Sequence, residues 1–371
     1  MKPLDGIKII DFSTLLPGPL ATLILAEAGA EVIKVEKPGG EDMRRSPPFI
    51  DGESVLFGVL NRGKRSIELD IKSEEGFNKI TNLIKSSDIV VDQFRPGVMD
   101  RLGLDFKNLL KIKPNIIHCS ITGYGQTGPK KLVAAHDLNY MAESGLLSLA
   151  REKDGSPAMP NTQIADIAGG SYPAVINILL ALREVEKTGQ GKFLDISMTD
   201  NLFPFMWMAL GLTTDNYYAK GGDLQLTGAS PRYGIYETLD KGYIALGALE
   251  EKFWIRFCEV INLPKEFIND KVNPTASKKK IIKILKEKTT KYWKEILDKE
   301  NNICCSIISS LKEAMLDAQV IERELLTANM QIGNKKIIAM PTPLAPLWRP
   351  KEIIESAPKL GEANAFYMEK P

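Results

Sequence analysis

The first 36 residues limit the fold more than any other stretch. Residues 7–12 read Ile-Lys-Ile-Ile-Asp-Phe, a β-branched run of strand length. Residues 17–28 follow with an apolar helical pattern that Pro17 opens and Gly29 closes, and residues 31–36, Glu-Val-Ile-Lys-Val-Glu, form a second strand pattern. Strand, helix and strand in so short a span predict a parallel pair joined by a right-handed crossover. Further strand patterns at 66–70, 88–92, 115–121 and 192–197 alternate with helical patterns at 73–86, 105–111 and 165–182. This alternation predicts an α/β fold in which a Rossmann-like, doubly wound parallel sheet forms a large domain over residues 1–200. The first turn, Thr14-Leu15-Leu16-Pro17-Gly18-Pro19, lacks the G-x-G-x-x-G cradle for a dinucleotide pyrophosphate, which excludes a simple dehydrogenase.

Beyond residue 200 the texture changes. Residues 201–212 carry Phe203, Phe205, Met206, Trp207 and Met208 and are expected to form a buried helix in a 201–225 connection. Residues 226–315 predict a smaller α+β domain: two strand-like runs flank the Asp240-Lys241-Gly242 turn, and helical patterns follow at 253–261, 278–289 and 291–298. The lysines at 278–280 read as a solvated helix face. The proline-punctuated residues 316–371 are expected to return over the large domain.

Charge and cysteine usage narrow the function. Lys plus Arg number 48 against 47 for Asp plus Glu, so a net charge of +1 gives no general attraction to nucleic acid or anionic membrane, and any anion site must be local. Cys119, Cys258, Cys304 and Cys305 have neither disulfide-framework density nor metal-ligand spacing, and the Cys304-Cys305 pair sits in an apolar run that reads as core. No metal site is expected, and a reducing cytoplasm is the natural compartment. No signal-peptide core opens the sequence and no uninterrupted apolar span suggests a membrane crossing. HExxH, Walker A and G-x-S-x-G patterns are absent.

The chain has two histidines. His136 follows the turn-rich run Thr122-Gly123-Tyr124-Gly125-Gln126-Thr127-Gly128-Pro129 and opens a helical pattern with Asp137 in its first turn. Asp166 opens a second, Ala168-Gly169-Gly170-Ser171, whose small residues predict close packing. Two acid/base groups at the mouths of two helices suit removal of a proton beside a carbonyl, with the backbone amides of the Asp166 helix or protonated Asp166 available to the enolate oxygen. Taken alone, the same residues also fit a satisfied loop histidine and a helix cap.

The motifs Lys34-Val35-Glu36-Lys37-Pro38, Asn61-Arg62-Gly63-Lys64-Arg65-Ser66, Leu69-Asp70-Ile71-Lys72, Arg95-Pro96-Gly97-Val98, Gly123-Tyr124-Gly125-Gln126-Thr127-Gly128-Pro129 and Ala165-Asp166-Ile167-Ala168-Gly169-Gly170 occur in that order. Together they resemble the family III CoA-transferases, a group that includes the α-methylacyl-CoA racemases. The resemblance implies an acyl-CoA substrate, no cofactor beyond the CoA of the substrate, and an interlocked homodimer in lipid metabolism. Transferases of the group use the aspartate matching Asp166 as a nucleophile. Racemases add a histidine before Asp-Ile-Asn-Tyr, matched here by His136 ahead of Asp137-Leu138-Asn139-Tyr140, and a glutamate matched by Glu250 after Gly247-Ala248-Leu249. The preferred reading is therefore a racemase of 2-methylacyl-CoA thioesters with His136, Asp166 and Glu250 as catalytic residues. CoA transfer between carboxylic acids through Asp166 is the alternative.

The same resemblance places CoA against Lys37, Leu69, Asp70, Ile71, Lys72, Arg95, Ala135, Asp137, Leu138, Asn139 and Tyr140, with Lys64 and Arg65 as further cationic candidates. Met141, Met206 and Met208 are candidates for an apolar surface beneath the acyl chain. Two departures stand out. Arg232, in Gly228-Ala229-Ser230-Pro231-Arg232-Tyr233, replaces part of a Gly-Ala-Pro-Phe-Tyr pattern and is expected to meet a polar acyl group or CoA. The tail reads Gly361-Glu362-Ala363-Asn364 in place of Gly-Glu-His.

Overall fold

The computed structural model describes residues 2–152, 155–350 and 356–368; parts of the expected C-terminal return, at 351–355 and 369–371, lie outside the described residues. The chain divides into two compact units, one of residues 1–144, 160–204 and 318–371, the other of residues 145–159 and 205–317.

The first unit is built on a parallel sheet of six strands: β1 (Lys8–Asp11), β2 (Glu31–Glu36), β3 (Arg65–Glu68), β4 (Ile89–Asp92), β5 (Ile117–Thr122) and β6 (Lys192–Ser197). Their order across the sheet is β3-β2-β1-β4-β5-β6, and every neighbouring pair is parallel. The order reverses between β1 and β4. In such sheets the crevice outside the carboxyl ends of the strands at that reversal is where ligands bind.

Continuous apolar runs form the inner strands because both faces are covered. Ile10, Ile33, Ile67 and Val90 pack with Ile80, Leu83 and Ile84 of α3 (Glu74–Lys85) and Leu109 of α4 (Phe106–Ile112). On α1 (Pro17–Glu27), Leu20, Leu23 and Ile24 pack with Leu60 of α2 (Val55–Asn61) and Val175 of the long helix α6 (Tyr172–Thr188). Pro17 suits the start of α1, where an N–H would have no partner. Ser73 and Asp105 cap α3 and α4 by accepting N–H bonds from their first turns.

Four expectations need correction. Lys64 is not placed to meet CoA: it is 1% exposed, and its Nζ lies 3.2 Å from Asp11 Oδ2, 2.7 Å from Thr22 Oγ1, 2.8 Å from Asn61 Oδ1 and 3.0 Å from the Pro19 carbonyl. Residues 201–212 do not form a buried helix. Pro204 interrupts the α pattern, giving a 3₁₀ stretch, Asp200–Met206, then a short turn, Trp207–Gly211, and Phe203, Phe205 and Trp207 are exposed. Cys304 is exposed and only partly joins the core through its neighbour Cys305, because its left-handed φ of 47° turns it out ahead of the strand. One span, Ala165–Thr188, does meet the length and apolarity of a membrane crossing, since its apolar residues continue onto the exposed side at Ile176, Leu179 and Leu180.

In the second unit the hairpin turns at Lys241, whose φ of 61° is left-handed, between β7 (Tyr233–Glu237) and β8 (Tyr243–Gly247). β9 (Cys305–Ile307) adds on the other side of β8, giving the antiparallel order β9-β8-β7. Helices α7 (Glu251–Val260), α8 (Pro274–Leu285) and α9 (Thr290–Leu297) bury Trp254, Phe257, Ile281, Leu285 and Trp293 around Tyr236, Ile244 and Leu246.

Lys64→Met would strand a fully buried Asp11 carboxylate beside its remaining partners. Breaking a buried pair from one side costs about 3–5 kcal/mol, so urea unfolding of the variant is expected to show a loss of that size.

Candidate active site

The strand β5 runs into Gly123, where a Cβ would lie 2.4 Å from the Tyr140 ring, so glycine lets the turn lie against that ring. Tyr124 meets Tyr140 edge-on, with ring centroids 5.3 Å apart. The backbone N–H of Gln126 donates to both Asp195 oxygens at 3.0 and 3.1 Å, and its side-chain amide donates to Ser120 Oγ at 2.9 Å. These bonds hold the turn that delivers residues 134–140.

His136 is the N-cap of α5 (Asp137–Glu143), and its N–H donates to the Asn139 side-chain oxygen at 3.0 Å. The imidazole is exposed. The next residue links the two helix mouths: Asp137 Oδ1 accepts the Asp166 N–H at 2.9 Å. Asp166 stands in a π-helical turn, Ala165–Ser171, that continues into α6 (Tyr172–Thr188). Such turns are rare and concentrate at functional sites. A Cβ at Gly169 would lie 2.4 Å from the Met198 carbonyl oxygen, and one at Gly170 would be 3.1 Å from Pro17, so the small-residue run packs as closely as its sequence predicts.

Burial, and then the Asp137 carboxylate, push the Asp166 carboxyl up to about 6. At pH 7 an ordinary aspartate near 3.9 is protonated about once in a thousand, whereas a group near 6 is protonated about once in ten. Burial, with the negative charge of Asp166 next, also raises the Tyr140 phenol to about 12; Arg95 opposes this and Asp137 adds to it. Tyr140 is thus a neutral donor, and its hydroxyl donates to the Ala135 carbonyl at 2.8 Å. The amides of Asp166 and Ile167 donate to Asp137 and to the Gln163 carbonyl, so neither is free for an enolate oxygen.

A family model described as CoA-transferase family III matches residues 4–364. The chain belongs to that family. It is 35% identical over 360 residues to mouse succinyl-CoA:glutarate CoA-transferase, covering 92% of this chain and 80% of the relative. Human α-methylacyl-CoA racemase is 32% identical over 319 residues, covering 84% and 79%. The crystal structure of Rv3272 from M. tuberculosis superposes with a TM-score of 0.85 at 27% identity, covering 99% of both chains.

The remaining candidates of this family III chain occupy the carboxyl ends of neighbouring strands. Lys37 follows β2, exposed, 3.3 Å from Asp42. Leu69 to Lys72 follow β3: Leu69 and Ile71 pack on the core, while Asp70 Oδ1 accepts the Lys72 N–H at 3.0 Å and shapes a turn that leaves Lys72 exposed. Arg95 follows β4 and is exposed, as are Leu138 and Asn139 on α5. The first unit therefore brings together Asp137, Tyr140, Arg95 and Asp166, with His136 next to Asp137 in the chain. Glu250 belongs to the second unit, where it is the exposed N-cap of α7 and its carboxylate has no partner among the described residues.

Arg232 is corrected from a substrate contact to a buried one, 7% exposed, with Asp270 taking two of its donors. Sequence reasoning also passed over Asp92. Its Oδ2 lies 2.7 Å from His118 Nε2, and its Oδ1 accepts from the Phe94 N–H at 2.9 Å and Ser120 Oγ at 3.2 Å, so one carboxylate joins the Arg95 loop to the Gln126 turn. Its place at the end of a strand just before Arg95-Pro96-Gly97 was the available signal. A cavity of about 270 Å³ opens beside this group and contains neither His136 nor Asp166.

Asp137→Asn keeps the oxygen that accepts the Asp166 N–H but removes a like charge. The Asp166 carboxyl is expected to fall from about 6 and to stay above the ordinary aspartate range because burial persists. NMR titration of ¹³C-labelled aspartate carboxyls checks this.

Proposed function

We propose that this family III enzyme interconverts (R)- and (S)-2-methylacyl-CoA thioesters by moving the α-proton between two side chains. The thioester carbonyl acidifies the α-hydrogen, and inversion needs one group on each face of the planar enolate. In one direction neutral His136 takes the proton and protonated Asp166 gives one; in the other, the Asp166 carboxylate takes it and the imidazolium gives one. The observation that carries this reading is the Asp166 carboxyl raised to about 6 in a turn bonded to the residue next to His136. A carboxyl near 6 holds a proton often enough to give one and loses it readily enough to take one near neutral pH. The human racemase relative supports the same chemistry.

CoA is held, on this reading, by the cationic and backbone groups at the strand ends, Lys37, residues 69–72 and Arg95, with no other cofactor. Glu250 favours the imidazolium from a partner chain in a cytoplasmic homodimer.

CoA transfer is the second reading, favoured by the succinyl-CoA:glutarate CoA-transferase relative. There the Asp166 carboxylate, about nine-tenths ionised at pH 7 for a group near 6, attacks the thioester carbonyl and expels CoA thiolate to give a mixed anhydride; the thiolate then attacks the aspartyl carbonyl, releasing the acyl group as a carboxylate and leaving an aspartyl-CoA thioester. Incubation of each 2-methylacyl-CoA enantiomer in deuterated water separates the two. Racemisation is expected to give α-deuteration with inversion, reduced about 10²–10⁴-fold in His136→Ala and in Asp166→Asn. No deuteration, with CoA passing to an added carboxylate through a hydroxylamine-sensitive enzyme thioester, would replace it by transfer.

A further inference from the structure

Within the second unit, Glu250 offers an exposed, unpaired carboxylate on a backbone that is held on both sides. Its own carbonyl accepts the N–H groups of Phe253 and Trp254 at 3.0 Å each. On one flank the Leu249 carbonyl accepts from Arg232 Nη1 at 3.2 Å; on the other, the same Nη1 donates to Glu251 Oε2 at 2.8 Å. The rest of the guanidinium is fixed independently. Nε donates to both Asp270 oxygens at 3.0 and 3.1 Å, and Nη2 donates to Oδ1 at 2.7 Å. Beneath it lies the Trp254 ring, 5.0 Å from the guanidinium carbon, and Trp254 is itself tied by its indole N–H to the Ile268 carbonyl at 2.7 Å.

We infer that Arg232 is a positioning residue whose fork, anchored by Asp270, fixes the backbone from which Glu250 projects by gripping the residues before and after it. A planar fork suits this task because its donors leave in fixed directions, and a lysine ammonium cannot address Asp270, Leu249 and Glu251 at once. Four of the five guanidinium hydrogens are bound within the unit and the residue is 7% exposed, which separates this role from acyl-group recognition. The unspent carboxylate at the centre of the grip is the reason to assign it a purpose: Glu250 and the helix that it caps form a mount that leaves only its own side chain unused.

The inference rests on the racemase reading for the task of Glu250, and its test has one readout that does not need activity. Amide hydrogen exchange over residues 247–257 is expected to rise in Arg232→Lys and less in Glu251→Gln, with the amides of α8 and α9 unchanged. Misplacing a supporting group by about 1 Å costs up to about a hundredfold in rate, so kcat for α-proton exchange is expected to fall about tenfold or more in Arg232→Lys with KM within about twofold. In a Glu250→Gln background, Arg232→Lys is expected to cost nothing further, because its effect passes through Glu250. Unchanged amide protection, or rate losses that multiply in the double variant, overturns the inference. Should Arg232→Lys not fold, Glu251→Gln, which alters an exposed arm of the grip, carries the same cycle. A wild-type chain that moves no α-proton removes the racemase reading, and the amide measurement then decides the inference by itself.

Discussion

The rest of the first unit depends on a buried carboxylate at the end of its first strand. Asp11 is fully buried, which works to raise its carboxyl, yet Lys64 and Lys34 together with the hydroxyls of Ser13 and Thr22 outweigh burial and hold it below the usual range. Lys34 also donates to the Ser13 carbonyl at 2.8 Å and pairs with Glu41 at 3.0 Å, while Glu41 accepts the Leu15 N–H at 3.0 Å. Leu15 has a left-handed φ of 62°, a conformation that a branched side chain disfavours and that these bonds over-determine. A dinucleotide fold uses glycines and bound phosphate to shape this turn. Here charges from β1, β2 and the segment after α2 shape it from within.

That substitution explains how a sheet with the strand order of a nucleotide-binding fold supports thioester chemistry. The crevice at the strand ends keeps its cations, but the acid/base groups of the proposed reaction come from the segments after β5. Asp166 is the pivot. The same carboxyl, raised by burial and by Asp137, is basic enough to abstract a proton, protonated often enough to return one, and ionised often enough to attack a carbonyl. Family III relatives with transferase and with racemase names both align along most of this chain, as a shared fold with a shared aspartate allows. The imidazole at position 136 is what directs the proposal toward proton transfer.

Much of this was legible before any coordinates. Strand β6 was bounded correctly at 192–197, although it is a half-exposed edge strand interrupted by Asp195, and α3 to within one residue at each end, because α3 carries its serine cap and helical period in sequence. The closeness of the Asp166 turn was visible in its glycines. Its π-helical form was not, since a shift of hydrogen bonding to the fifth residue leaves no mark in composition. Lys64 and Arg232 were misplaced for one reason. A cation in a sequence does not reveal burial, and their carboxylate partners lie 53 and 38 residues away. The apolar run after β6 misled because a single proline outweighed its hydrophobicity.

The first unit is closed by chain that follows the second. Arg62 donates to Glu27 and to the Met340 carbonyl, Thr342 donates to the other Glu27 oxygen, and Asn364 exchanges hydrogen bonds with the backbone of Glu68. A ribosome delivers those partners only after residues 205–317 have emerged. Until then the acid of α1 and the edge strand of the sheet wait unfinished, while most of the second unit is already available to fold. The order of maturation is thus opposite to the order of the sequence: the unit encoded first is completed last, and a chain released before residue 340 would expose an unfinished sheet edge to other nascent chains.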